Sequence, residues 1–355
     1  MPSRRIVPVV LLCCTLTAQQ QVPEPPQTDI RVLVTEIVAP VTVLDHDGNI
    51  VNGLQPHQFR LFDNGKEQDI RVDVTYQPLS LVIAVQSNSA VEVVLPQIQK
   101  IGSLLEAFVV GELGEAAVLA FDHRFRVMQD FTPDVSKISE ALRKITPGSS
   151  SSRMVDAVHE SVRMLRRRPA NRRRVILLIS ETRDIASEGK ARNTLIEAQL
   201  ANSSIYTVNI NRLVTTLTGK AQPPRPDPLP PAARSMPPNV PATPNTVAQK
   251  SGNQGGSADF VPLMVEVFRD VKSIFVNNPV ELFTKGTGGA EFSFVKQKGL
   301  EDAIAKIGEE LHSQYLITYN PSNKDEGGFH EITVTVDRSD VKVRTRPGYW
   351  LATVQ

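Results

Sequence analysis

The stretch from Pro78 to Glu92, Pro-Leu-Ser-Leu-Val-Ile-Ala-Val-Gln-Ser-Asn-Ser-Ala-Val-Glu, decides the fold of this chain. Residues 79–85 form a nearly continuous apolar run, which is typical of a strand covered on both faces of a parallel sheet. A polar turn follows, and Ser89 and Glu92 then have the Ser-x-x-Glu spacing of a helix capping box. A strand that ends in a polar turn and leads into a helix predicts an open α/β sheet, whose ligands bind at the carboxyl ends of the strands.

The pattern of alternating strands and helices extends over residues 77–314 and predicts a doubly wound, mostly parallel α/β domain. After Glu92, apolar residues at helical spacing predict one helix face, made of Val94, Ile98, Ile101, Leu105 and Phe108. The same reasoning predicts strands over 116–121, 125–128, 175–179, 204–210 and 290–295. It also predicts helices over 135–142, 155–165, 195–200, 261–275 and 300–311.

One segment interrupts this pattern, a proline-rich insertion at residues 213–259. Prolines crowd together between Gln222 and Pro244, and a polar stretch over 249–257 continues the segment. Such a composition cannot bury enough apolar surface to order itself, so we predict a flexible linker. A proline-rich ligand for a partner domain is the alternative.

Residues 29–76 and 315–350 are rich in strand patterns and contain no helical period. The first segment has β-branched or alternating runs at 30–34, 41–44, 59–62 and 68–74, and the second has them at 315–319, 331–336 and 341–344. Each set alone would leave open edges and an uncovered apolar face. We therefore predict that the two sets pair into one Ig-like β-sandwich of about seven strands, with the α/β domain inserted between them and a short tail at 351–355.

The N-terminus has the pattern of a secretory signal peptide over residues 1–18, followed by a polar, proline-rich linker over 19–28. Two arginines precede an apolar run at 6–16, and small residues end it. Both cysteines, Cys13 and Cys14, lie in that run, so a cleaved chain would have no thiol chemistry. No later apolar stretch approaches the length of about 20 residues that a membrane span needs. We predict an exported protein, periplasmic or secreted, with no transmembrane span.

Composition and charge argue against several classes of function. The formal net charge of +1 indicates no nucleic-acid surface. The basic cluster at 163–174 is predicted at a helix end and in the connection after it, where cations are favourable. The chain has no Gly-x-Ser-x-Gly elbow, no phosphate-binding glycine loop and no His-Glu-x-x-His motif. We therefore predict that the protein is not an enzyme and has no nucleic-acid partner.

The turn after the first buried strand resembles the Asp-x-Ser-x-Ser metal-site loop of a von Willebrand factor type A domain. The corresponding residues are Val85, Gln86, Ser87, Asn88 and Ser89, so both serines are present and a valine replaces the aspartate. Most of the chain is similar to the bacterial VWFA-related domain proteins named for acidobacteria, which are exported proteins of unassigned function. The matching pieces are Asp47-Gly48, Gly53-Leu54, Phe59, Phe62-Asp63-Asn64-Gly65, Thr287-Gly288-Gly289, Tyr315-Leu316 and Arg346-Pro347-Gly348-Tyr349.

The resemblance also implies a degenerate metal site built from three loops. The positions that remain supply three hydroxyls and one carboxylate, from Ser87, Ser89, Ser152 and Glu181. Val85 stands at the lost position, because a valine side chain cannot ligate a cation. Hard cations need carboxylates to neutralise their charge, so we predict that tight metal binding is lost and that there is no cofactor. Weak Mg²⁺ or Mn²⁺ binding, with Glu181 or Asp184 as the acid, is the alternative.

Ordinary structural roles account for the same residues. Ser89 and Ser152 can each cap a helix, and Ser87 can be a turn residue. Glu181 can be a solvent-exposed loop acid or a partner of Arg183.

The sequence therefore predicts an exported, non-catalytic protein-binding or adhesion module that needs no metal. One alternative is the same module with weak dependence on a divalent cation. Another is a structural cell-envelope component that associates with copies of itself. The partner is accordingly an unknown protein or a second copy of the chain.

Overall fold

The computed structural model describes residues 36–73, 77–105, 113–184, 186–210 and 278–351. Several predictions lie outside these residues: the signal peptide and linker over 1–28, the strand at 30–34, Phe108, the insertion at 213–259 and the helix at 261–275. Of the predicted tail, only Leu351 is described, and it belongs to the last strand.

The described residues form fourteen strands, seven α-helices and three short 3₁₀ helices. The strands are β1 (Ile37–Leu44), β2 (Phe59–Asp63), β3 (Lys66–Glu67), β4 (Ile70–Asp73), β5 (Leu79–Gln86), β6 (Glu115–Phe121), β7 (Phe125–Thr132), β8 (Arg173–Ser180), β9 (Ser203–Ile210), β10 (Glu291–Phe294), β11 (Tyr315–Tyr319), β12 (Gly328–Val336), β13 (Lys342–Arg344) and β14 (Gly348–Leu351). The α-helices are α1 (Leu95–Ile98), α2 (Gly102–Leu105), α3 (Val135–Arg143), α4 (Met154–Arg166), α5 (Ala191–Leu200), α6 (Pro279–Thr287) and α7 (Gln297–Ser313). The 3₁₀ helices cover Pro56–Gln58, Ser89–Val91 and Lys324–Glu326.

The central sheet has the strand order β10-β9-β8-β5-β6-β7. Neighbouring strands in this sheet are parallel except for the last pair, because β7 runs antiparallel to β6. The predicted α/β class with a mostly parallel sheet is therefore confirmed. β6 and β7 lie on one side of β5, and the later strands β8, β9 and β10 lie on the other. The winding direction reverses between β5 and β8, and open sheets of this kind bind ligands at such a reversal.

Helices cover both faces of this sheet, which explains why β5 is apolar along its length. Leu81, Ile83 and Val85 pack into one core with α1, α2, α3 and α7. Val82 and Ala84 pack into the opposite core with α4, α5 and α6. Every residue of β5 is buried, as a strand covered on both faces requires.

The outer strands form two four-stranded sheets, in the orders β13-β1-β11-β4 and β14-β12-β2-β3. Each sheet combines strands from the two ends of the described chain, since β1 pairs with β11 and β2 pairs with β12, both antiparallel. Residues of both sheets share one apolar core, which includes Val41, Leu61, Ile317 and Val334. Neither segment could cover its apolar face alone. The Ig-like character of this pair of sheets stays a prediction.

Within the described residues, the helix after β5 starts later than predicted and is interrupted between Ile98 and Gly102. Ser89 begins a 3₁₀ helix whose N-cap is Asn88, and α1 starts only at Leu95. The capping box expected from Ser89 and Glu92 is therefore wrong. Pro96 lies in the first turn of α1, where proline favours a helix start, and the poor helix former Gly102 follows the interruption. The predicted apolar face is nevertheless buried at Val94, Ile98, Ile101 and Leu105.

Sequence reasoning missed α6 and β14, although α6 carries ordinary start and stop signals. The Asn278 side chain accepts a hydrogen bond from the Val280 N–H at 3.0 Å, and Pro279 occupies the first turn. Gly288 ends the helix with a φ of 77°, a left-handed conformation that favours glycine. A side chain there would also press against the Arg346 backbone nitrogen, at 2.8 Å.

One fully buried carboxylate ties the two outer sheets together. Asp63 accepts hydrogen bonds from the hydroxyls of Tyr349 at 2.7 Å and Tyr319 at 2.9 Å. Its other oxygen lies 2.7 Å from His330 Nδ1 and accepts from the Asn323 amide at 3.1 Å. Burial and the neighbouring Asp63 carboxylate raise the pKa of both tyrosines, so both keep their protons as donors.

We expect Asp63→Asn to lower the free energy of unfolding by about 3 kcal/mol, because an amide leaves buried donors without an acceptor. The exposed Asp69→Asn variant removes the same charge and should leave stability unchanged within about 0.5 kcal/mol. Urea unfolding followed by circular dichroism measures both variants. Equal stability of the two variants would contradict a structural role for this cluster.

Candidate functional site

The candidate site lies at the carboxyl ends of β5, β6 and β8, where three loops meet. The first loop is residues 87–89, the second is 146–153 and the third is 181–190. The first loop follows β5 and the third follows β8, so both start at the reversal in the winding direction.

Backbone hydrogen bonds hold the first loop against the second. The Gly148 N–H donates to the Ser87 carbonyl at 2.6 Å, and the Ser89 N–H donates to the Ser149 carbonyl at 2.8 Å. A Cβ atom at position 148 would collide with the Asp122 carboxylate, so any larger residue there would displace this side chain from its hydrogen bonds. The absence of a side chain at Gly148 therefore allows the first and second loops to lie close enough to form these hydrogen bonds.

Asp122 follows β6 directly and organises the second loop. Its carboxylate accepts from the Ser149 N–H at 2.9 Å and from the Arg124 N–H at 2.8 Å. Burial opposes its ionisation, but these backbone donors and nearby positive charges outweigh burial and lower the pKa of Asp122. Asp122 is therefore an ionised structural group at neutral pH.

Gln86, the last residue of β5, links the first loop to the third. Its amide oxygen accepts from the Glu181 N–H at 2.9 Å, and its amide nitrogen donates to Asn88 Oδ1 at 2.9 Å. All three side chains are buried, with Gln86 and Asn88 at 0% exposure and Glu181 at 6%. Sequence reasoning missed Gln86, although its position at the end of the buried strand was the available signal.

Two aspartates fasten the third loop to the start of α4. Asp184 accepts from the Met154 N–H at 2.9 Å and from the Ser187 hydroxyl at 2.8 Å. Burial is the largest influence on Asp184 and raises its pKa. Asp156 accepts from the Glu188 and Gly189 N–H groups at 2.9 Å and 2.8 Å. Burial works against the Asp156 carboxylate, but these bonds and Arg153 outweigh it and lower its pKa.

Val85, at the position of the lost aspartate, belongs to the apolar core. It is 0% exposed and packs among the residues between the sheet and α1, α2, α3 and α7. At the end of β5, the apolar side chain of Val85 therefore occupies the position at which the resemblance implies a carboxylate in metal-binding relatives.

Ser87 already uses its hydroxyl within the protein. Its Oγ donates to the Phe121 carbonyl at 3.2 Å and accepts from Arg126 Nη2 at 3.0 Å. Arg126 Nη2 also donates to the Thr146 carbonyl at 3.2 Å. A guanidinium thus bonds directly to a serine that the resemblance assigns to the cation. Arg126 lies on β7, far from the loop motif in sequence, and sequence reasoning missed it.

The remaining predicted residues occupy the same edge with different surroundings. Ser152 is buried, and its hydroxyl has no hydrogen-bond partner among the described residues. It does not cap α4, because Arg153 is the N-cap and the Met154 N–H bonds to Asp184. Glu181 is not a solvent-exposed acid, since it is 6% exposed. Ser89 begins the 3₁₀ helix and bonds through its backbone to the second loop.

These donors do not fit a divalent cation. Val85 is apolar and cannot ligate a metal ion, and the Ser87 hydroxyl is already hydrogen-bonded to Phe121 and Arg126. The Arg126 guanidinium also brings a positive charge to the place where a cation would bind. In the described part of the chain, no group of three or more His, Cys, Asp or Glu side chains is arranged to hold a metal ion.

None of the described helices is both long and apolar enough to cross a bilayer.

No family model matches the chain, and no curated protein matches it. Among solved structures, it is similar to an aerotolerance-related membrane protein from Bacteroides fragilis, at 12% identity and a TM-score of 0.39, over 65% of this chain and 99% of that one. It is similar to BatB from Bacteroides thetaiotaomicron at 13% identity and a TM-score of 0.37, over 65% and 99%. The vWF domain of the pilus tip protein Mfa5 from Porphyromonas gingivalis aligns at 16% identity and a TM-score of 0.26, over 30% and 38%.

We expect Asp156→Asn to destabilise the protein by about 1–2 kcal/mol at neutral pH, because it weakens charge-assisted bonds to the third loop. The pKa of Asp156 is lowered on folding, so its carboxylate stabilises the fold above its unfolded pKa of about 3.9. That contribution is lost as the pH falls through the lower folded pKa. Urea unfolding from neutral to acidic pH should show the difference from the natural protein shrinking, whereas the exposed Asp302→Asn control should show no difference.

Proposed function

We propose that this protein is an exported, non-catalytic module that binds a protein partner at the carboxyl edge of its parallel sheet without a metal ion. The N-terminal sequence pattern supports export. The observation that carries the metal-independent mode is the hydrogen bond from Arg126 Nη2 to Ser87 Oγ.

Arg126 supplies a fixed positive charge at this edge. Among the described residues, no carboxylate forms an ion pair with it, and its Nη1 atom is neither bonded nor among the buried atoms. A guanidinium with an open N–H edge binds carboxylates through charge-assisted hydrogen bonds. We therefore propose that an acidic residue of the partner binds Arg126, in place of the cation that such a residue meets in metal-dependent von Willebrand A domains.

The loops around Arg126 are held in place before any partner arrives. Gln86, Asp122 and Asp156 each join two segments through buried or half-buried hydrogen bonds. A surface that is already ordered loses less conformational entropy on binding.

A second candidate keeps weak dependence on Mg²⁺ or Mn²⁺. The buried and unpartnered hydroxyl of Ser152 favours it, because such a group is an available oxygen ligand. Glu181 would then be the nearby acid.

Isothermal titration calorimetry with MgCl₂ and MnCl₂ tests metal independence. We expect no saturable binding to the natural protein or to Val85→Asp, because Arg126 keeps its positive charge in both. The double variant Val85→Asp with Arg126→Ala restores a carboxylate and removes the guanidinium, so it should bind. Val85→Asn with Arg126→Ala is the uncharged control. Saturable binding to the natural protein that Ser152→Ala abolishes would establish the cation-dependent candidate instead.

Phage-displayed peptides selected on the immobilised protein in EDTA test the binding mode. We expect selected peptides to carry Asp or Glu and to lose about tenfold or more in affinity with Arg126→Gln, which removes a charge-assisted bond. Arg60→Gln, an exposed arginine on β2, should change nothing. Peptides that bind equally well to both variants would contradict the role of Arg126. Concentration-dependent association without any peptide, seen by analytical ultracentrifugation, would favour the self-associating envelope component.

A further inference from the structure

A cavity of about 270 Å³ lies at the opposite edge of the parallel sheet from the candidate site. Its walls come from the amino ends of β8 and β9, from β1 and β11 of one outer sheet, and from the segment around Arg346. It therefore lies where the central sheet meets an outer sheet.

The charged lining of this cavity is strongly basic. Four arginines and a single carboxylate contribute to it: Arg172, Arg173, Arg174, Arg346 and Glu36. Glu36 already lies 3.5 Å from Arg71, outside the lining, and Arg172 lies 3.2 Å from Glu115. Within the described residues, Arg174 and Arg346 remain as lining arginines that form no ion pair with a carboxylate.

Arg346 is the most unusual member of the lining. It is 2% exposed, and no carboxylate among the described residues forms an ion pair with it. Its Nη1 makes only long hydrogen bonds, to the Gln199 carbonyl at 3.4 Å and to Asn202 Oδ1 at 3.3 Å. Its Nε and Nη2 atoms have no partner in the described chain. Burial lowers the pKa of Arg346 to about 10, which still leaves it charged at neutral pH.

Two further lining residues have buried donors without partners. The Arg174 guanidinium donates to the Ala201 and Arg168 carbonyls, but its Nε has no partner. The Ser203 hydroxyl, at the first position of β9, is also buried and unpartnered. Buried polar atoms in folded proteins are nearly always hydrogen-bonded, so several unpartnered donors around one cavity indicate a ligand that accepts hydrogen bonds.

We propose that this cavity binds a phosphate group, either inorganic phosphate or the phosphate of a small phosphomonoester, with Arg346, Arg174 and Ser203 as its donors. A dianion with several acceptor oxygens matches two guanidiniums and a hydroxyl better than a single carboxylate does. The negative charge would also add to the stabilisation that the Asp63 carboxylate gives to the charged form of the buried Arg346, which has no ion pair among the described residues.

The fold holds these donors rigidly around the cavity. Arg174 and Ser203 lie on neighbouring parallel strands and are paired in register. Arg346 packs against Gly288 at the end of α6, and its guanidinium lies 5.5 Å from the centre of the Tyr349 ring. The site is therefore built from regular structure rather than from surface loops.

Calorimetric titration of the full chain with inorganic phosphate tests the proposal, at an ionic strength matched with sodium chloride to remove general screening effects. We expect saturable binding to the natural protein, weakened about tenfold or more by Arg346→Gln and by Arg174→Gln, and weakened less by Ser203→Ala. Arg60→Gln, which removes an arginine outside the lining, should bind like the natural protein. Circular dichroism verifies that each variant folds. If Arg346→Gln does not fold, the two single variants Arg174→Gln and Ser203→Ala remain decisive.

The same titration with glycerol phosphate separates the two sources of the group. Tighter binding of the ester would assign the cavity to a phosphomonoester, and tighter binding of inorganic phosphate would assign it to the free ion. Absence of saturable binding by both ligands would overturn the proposal. So would phosphate binding that is equally strong in Arg174→Gln, Ser203→Ala and Arg60→Gln.

Discussion

The burial of β5 between two parallel neighbours is the constraint on which the rest of the structure depends. A strand covered on both faces must place its polar neighbours at its two ends. At the carboxyl end, Gln86 is hydrogen-bonded to the third loop, and the Ser87 carbonyl is hydrogen-bonded to the second. At the amino end, the buried Ser80 hydroxyl bonds to Glu115 at 2.6 Å and accepts from Arg172 at 2.8 Å. The two edges of the sheet therefore carry the polar chemistry of the α/β part.

The Arg126 guanidinium supplies a positive charge at the place where the resemblance to a metal-site loop implies a cation. With Val85 at the end of β5, a metal ion would lack a carboxylate from this position, whereas the Arg126 guanidinium needs none to remain charged. The guanidinium is anchored by Ser87 and by the Thr146 carbonyl, so the loops keep an ordered arrangement. The candidate site thus combines ordered loops with a positive charge supplied by the chain itself.

A buried glutamate joins the α/β part to the outer sheets. Glu310 of α7 accepts hydrogen bonds from the Tyr206 hydroxyl at 2.8 Å and the Thr42 hydroxyl at 3.1 Å, and it also pairs with Arg344. These partners come from β9, β1 and β13, so one carboxylate connects three elements. The cavity beside Arg346 lies at this same junction, where polar side chains from both parts must find partners away from water.

Local patterns in the sequence determined the α/β class, the strand over 79–85, the apolar face from Val94 to Leu105 and most of the strands in the two outer sheets. Those features follow from hydrophobic periodicity, which is a property of neighbouring residues. Only the tertiary structure decided that Arg126 bonds to Ser87, that Asp184 rather than Ser152 satisfies the start of α4, and that Arg346 lines a basic cavity. Each of these contacts joins elements far apart in the chain, and strand order and packing, which local spacing does not encode, bring them together.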